Sequence, residues 1–133
     1  MRSGLRRKSG SGIIETAAGL IFLIPVLFIL IDVAALVIAQ TANDQLAKQC
    51  ARAAAEKPSG LGQQAADDAF ANFANNGLCT KQGAPALDYG AQAGAVKCTT
   101  TIVVKLPIPV PFGGPATQTF QAFSTEPIVG DLP

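Results

Sequence analysis

The chain has 133 residues, with ten Lys and Arg against nine Asp and Glu, three cysteines, and neither His nor Trp. That is room for one small domain. Without His there is no Ser/His/Asp or Cys/His machinery. Cys50, Cys79 and Cys98 form no CxxC pair, so a zinc site is not expected. No glycine-rich phosphate loop opens a helix, and no basic face interleaved with aromatics offers a surface for nucleic acid. The expectation is a protein that is not an enzyme and has no catalytic residues, no cofactor, no metal and no nucleic-acid partner.

Residues 1–10 form a basic leader carrying Arg2, Arg6, Arg7 and Lys8 and no acid. The remaining six basic and all nine acidic residues lie beyond it. An apolar run over residues 11–39 follows, interrupted by Glu15, Pro25 and Asp32. The positive-inside rule places the leader in the cytoplasm and the C-terminal part across the membrane. Residues 16–31 carry no charge and as a helix cover about 24 Å, less than the roughly 30 Å of a hydrocarbon core. A full span therefore brings at least one carboxylate close to an interface. Glu15 is expected in the first helical turn, where the helix dipole favours negative charge. Asp32 reads as a group near the outer headgroups, with a contact to a partner helix as the alternative. Pro25 removes a backbone hydrogen bond and is expected to kink or loosen the helix over residues 21–25.

The helix is expected to continue over residues 41–58. Ala42, Leu46, Cys50 and Ala53 form its apolar stripe. Asn43, Asp44, Lys48, Arg52 and Glu56 lie on other faces, with Asp44–Lys48 and Arg52–Glu56 as i,i+4 pairs. Pro58-Ser59-Gly60 ends it.

Residues 59–133 are read as a small head. A second helix spans 61–75, with Ala66, Ala69, Phe70 and Phe73 on one face. Phe70 and Phe73 are read as core rather than as a partner-binding pair. Asp67-Asp68 is a solvated face, since no further oxygen ligands stand at cation-binding spacing. Residues 78–94 read as a loop. Strict alternation of Val96, Cys98, Thr100, Ile102, Val104 and Leu106 with mostly polar neighbours predicts a half-buried strand. Pro107, Pro109 and Pro111 mark an edge or extended arm, and Gly113-Gly114 a turn. A second, antiparallel strand is expected over 116–125, and residues 127–133 read as a frayed tail. The fold class is thus α+β: a long N-terminal transmembrane helix extended into a small head with a second helix and an antiparallel β-hairpin.

Cys98 points to the apolar face of its strand, and Cys79 lies in the loop before it. If the head is exported, a Cys79–Cys98 bridge is expected, closing a loop of about 20 residues for about 3 kcal/mol. Reduced, buried cysteines are the alternative.

Gly10-Ser11-Gly12-Ile13-Ile14-Glu15, behind a basic leader and ahead of the apolar run, resembles the prepilin peptidase pattern of type IV pilins. Arg6-Arg7-Lys8, Glu15-Thr16-Ala17, Leu23-Ile24-Pro25 and Ile31-Asp32 are most similar to TadE-like minor pilins, or pseudopilins, of the tight-adherence system. The resemblance extends over residues 1–55. It implies cleavage after Gly10 to expose Ser11, and a membrane-lipid anchor at residues 11–40 in the cytoplasmic membrane with an exported head. It also implies assembly with other pilin-like subunits through pairing of Glu15 with a neighbour's N-terminus, in a pilus or secretion apparatus. Two other readings start from the same run. One is a single-pass anchored binding module. The other is a small secreted domain freed by signal peptidase before Gln40, where Val37-Ile38-Ala39 satisfies the small-residue rule.

Overall fold

Forty-seven residues, Ser9–Ala55, form one α-helix, α1. At about 1.5 Å per residue it is roughly 70 Å long. The computed structural model describes residues 9–58, 60–74, 77–108 and 116–129, with side chains from Gly12 onward. After α1 come α2 (Gly62–Asn72) and four strands: β1 (Cys79–Lys81), β2 (Ala86–Asp88), β3 (Ala95–Lys105) and β4 (Thr117–Pro127). The fold is α+β, with the long apolar helix, the second short helix and the antiparallel sheet that the sequence pattern implies.

Strand β3 is the centre of the sheet. β4 pairs with it antiparallel along its whole length, from Ala95 opposite Pro127 to Lys105 opposite Thr117. β1 and β2 share the other edge, Cys79 facing Val104 and Leu87 facing Cys98. Residues 78–94 are therefore not simply a loop. Strands of three residues show no readable period, and pairing with β3 is what makes them strands. Gly83 and Gly94, both with positive φ, shape the connections around them.

The alternation of β3 places Val96, Cys98, Thr100, Ile102 and Val104 on the buried face. Helix α1 lies across this face. Its docked side is Ala39, Asn43, Leu46, Ala47, Cys50, Ala51 and Ala54, each at most 1% exposed. Alanines let the helix backbone come close to the sheet. Asn43 corrects the sequence reading: it faces inward. Its amide donates to the Phe120 carbonyl at 3.2 Å, and its Oδ1 accepts from the Thr100 hydroxyl at 2.8 Å. One polar side chain of α1 thus holds both long strands, and burial is tolerable because its groups are paired. The expected i,i+4 ion pair of Arg52 with Glu56 is also replaced. Arg52 reaches Glu126 on β4 at 3.7 Å, while Asp44 accepts from Gln40 rather than meeting Lys48.

Helix α2 packs along α1 through Ala66 and Phe70, with Ala69 and Phe73 partly buried against the same core, as their spacing predicts. It stops at Asn72, earlier than the sequence implied, because Phe73 adopts an extended conformation. Lys81 of β1 then caps it. Its Nζ donates to the carbonyls of Phe70 (2.6 Å), Ala71 (3.1 Å) and Phe73 (3.0 Å) and lies 5.3 Å from the centroid of the Phe70 ring. A cation at a helix C-terminus satisfies orphan carbonyls and complements the dipole. At the other end, Gly62 admits close contact. A Cβ there would run into the Tyr89 hydroxyl and stand 3.3 Å from the Ala54 carbonyl. Burial pushes the Tyr89 hydroxyl pKa up.

The start of the expected tail is pinned. The N–H of Ile128 donates to Gly94 at 2.9 Å, and that of Val129 donates to the Ala55 carbonyl at the end of α1 at 3.2 Å. Residues 109–115 and 130–133, which include most of the proline-rich arm and the Gly113-Gly114 turn, lie outside the described residues.

Two substitutions test this packing. Asn43→Ala leaves the Thr100 hydroxyl and the Phe120 carbonyl without their partner. It is expected to cost about 2 kcal/mol, a fall in head Tm of roughly 10 °C in detergent-solubilised protein followed by circular dichroism. Lys81→Met keeps the aliphatic stem and removes the cap. A loss of about 1–2 kcal/mol is expected, with faster amide exchange concentrated at the C-terminal turn of α2.

Candidate functional site

Helix α1 is divided by its surroundings. Residues 12–31 are exposed without exception. They include Ile13, Ile14, Ile21 and Phe22, each more than 70% exposed. From Ala35 at 6% and Ala39 at 0%, one face becomes core. From Ala17 to Ile31 the bare segment is apolar on every side, so no rotation of the helix hides it from water. So large an apolar surface is unfavourable in water, and apolar patches of this size mark membrane or protein contacts. Its roughly 20 residues rise about 30 Å, the thickness of a hydrocarbon core. α1 is therefore long and apolar enough to cross a membrane.

Asp32 stands at the boundary. It is half-buried, and its Oδ1 accepts the backbone N–H of Ile108 at 3.3 Å. The carboxylate marks where the head begins, and its partner comes from the same chain. Ile108 lies at the base of the proline-rich arm that begins at Pro107, so this bond ties that base to α1.

Glu15 lies near the other end of the bare segment and is exposed. Among the described residues it has no ion pair and no side-chain hydrogen bond. The described part of α1 starts at Ser9, and Glu15 lies beyond its first turn rather than within it. The Gly10–Ser11 bond lies within that first turn. One turn before Thr16, the Gly12 carbonyl accepts its hydroxyl at 2.7 Å, which removes a free donor from an apolar environment. The helix runs through Pro25 without ending. Proline has no N–H to offer the Ile21 carbonyl one turn earlier.

The three cysteines are placed differently from the sequence reading. Cys79 faces Val104 across the β1–β3 ladder, whereas Cys98 lies six residues further back along β3, opposite Leu87 and Ser124. At about 3.3 Å per residue, roughly 20 Å separates those two positions, and a disulfide requires Cα atoms within about 7 Å. The expected Cys79–Cys98 bridge is therefore excluded. Cys98 instead meets Cys50 of α1, and both are fully buried in the core. Hydrogen bonding to Cys50, reinforced by burial, pushes the Cys98 thiol well above the usual range. Cys79 is half-buried, and burial pushes it up as well. Reading the stripe on α1 by three- and four-residue spacing did include Cys50. What it lacked was the register of α1 over β3.

Comparison with protein-family models, with curated proteins and with solved structures finds no match to this chain.

The boundary contact has its own test. Asp32→Ala removes the acceptor for Ile108 and is expected to cost that contact about 1 kcal/mol, raising amide exchange at Ile108 roughly five-fold. Exchange in the core strand β3 should stay unchanged.

Proposed function

We propose that this chain is a pilin-like structural subunit, a minor pilin or pseudopilin of a type IV-related tight-adherence pilus or secretion apparatus. The observation that carries the reading is the division of α1. A bare apolar segment of membrane length, with a single carboxylate near its start, continues without a break into a segment wrapped by a small head. A basic leader ending in Gly10 precedes it. This is the arrangement a subunit needs if it is stored in a membrane and then packed helix against helix.

In this reading a prepilin peptidase cuts after Gly10 and makes Ser11 the N-terminus. Glu15 becomes the fifth residue of the mature chain. The bare segment sits in the cytoplasmic membrane with the leader inside and the head exported. During assembly it leaves lipid for a bundle of like helices. A carboxylate at that depth is costly when alone and tolerable when paired. Pairing of Glu15 with a neighbour's terminal amine therefore rewards one register of packing over others. Pro25 leaves the Ile21 carbonyl free, a local weakness that membrane helices accommodate through neighbouring groups. The role is structural, with no catalytic step.

Two measurements test the reading. The mature protein taken from membranes of its native host should begin at Ser11. A start at Gln40 or an intact Met1 rejects prepilin-type processing. Glu15→Ala should leave cleavage and membrane insertion intact while incorporation into assembled structures falls at least ten-fold, the consequence of losing about 1.4 kcal/mol or more of pairing. A variant that assembles normally removes Glu15 from the assembly role.

A further inference from the structure

Cys50 and Cys98 approach each other from the two elements that make the head. Both are 0% exposed and belong to one core cluster. Their apposition follows from the register of α1 over β3, which an independent contact fixes. Asn43 hydrogen-bonds Thr100 at 2.8 Å. Cys50 lies two turns further along the same face of α1, and Cys98 two residues back on the same face of β3. The surrounding helix positions Ala47, Ala51 and Ala54 are fully buried, so no bulky side chain holds the backbones apart at this point. The two thiols lie close enough for each to influence the other's titration.

We propose that Cys50 and Cys98 form a disulfide that staples α1 to β3, and that Cys79 remains a thiol. Its presence in the cell rests on the exported head of the preceding reading, since an oxidising compartment is what sustains it. The chemistry balances with an external dithiol–disulfide oxidant. One cysteine thiolate attacks the oxidant's disulfide, forming a mixed disulfide and releasing one oxidant thiol. The second cysteine, as thiolate, displaces the other oxidant sulfur. The protein loses two electrons and two protons, and the oxidant's disulfide becomes two thiols. Both cysteines are sealed once the head has folded, so the exchange takes place before α1 docks on the sheet. Thereafter burial protects the bond from reductants. Such a bond suits this architecture because the head has a small core and covalent closure restricts its unfolded states. It also fixes the head to the helix that would carry it, so that force along α1 does not peel the sheet away.

The test uses the purified full-length chain in detergent. It is reduced and unfolded, refolded in mixed reduced and oxidised glutathione, quenched with N-ethylmaleimide and digested without reduction for mass spectrometry. A Cys50 peptide linked to a Cys98 peptide, with Cys79 alkylated, is the expected result. A link that includes Cys79, or alkylation of all three cysteines, overturns the proposal. Mobility on a non-reducing gel gives a second readout that does not depend on stability. The oxidised wild type and Cys79→Ala should migrate faster than their reduced forms, and Cys50→Ala and Cys98→Ala should not. A shift that persists in either of those two variants overturns the assignment. The refolding result decides the pairing whatever the location of the head. Protease added to intact spheroplasts tests location separately: a protected head overturns the exported-head reading alone.

Discussion

The head is held together by one face of one helix. Along α1 the side chains from Ala39 to Ala54 that meet the sheet are, apart from Leu46, small or paired. Alanine brings the backbone in. Asn43 satisfies a hydroxyl on β3 and a carbonyl on β4 with a single amide. Leu46 supplies the one large apolar group at the centre of that face. Strand β3 has its place because α1 covers it, and the other strands have theirs because β3 is between them. Helix α2 is hung on the side of this unit, held by the close approach at Gly62 and by the Lys81 cap.

The same helix serves two environments, and the change between them is sharp. Over a few residues, from Ile31 to Ala35, one face of α1 goes from exposed to core. Asp32 sits at that change and reaches back to the backbone of the arm after β3. A charged group at the edge of an apolar segment is least costly where polar groups can meet it, and the head provides one. The bare segment has no such support from the head. An apolar surface of that extent is costly in water.

The three cysteines occupy two environments. Cys79 is on a short edge strand with partial access. Cys50 and Cys98 are sealed against one another between helix and sheet. Spacing along the chain favoured the nearer pair, yet the extended strand between them carries Cys98 away from Cys79. The long helix, distant in sequence, crosses directly over it.

The sequence alone determined whatever depends on local period and charge. The long apolar run reads as a helix long enough to cross a membrane. The strict alternation around Cys98 could only be a strand with one wet face. Ala66, Phe70 and Phe73 fall on one side of any helix drawn through them. Lys81 as a helix cap, Asn43 as an inward-facing anchor, the short strands β1 and β2, and the Cys50–Cys98 apposition were decided only by the tertiary structure. Each depends on which residues of one element lie opposite which residues of another. That register is set by packing over the whole α1–sheet contact, and no local window of the sequence contains it.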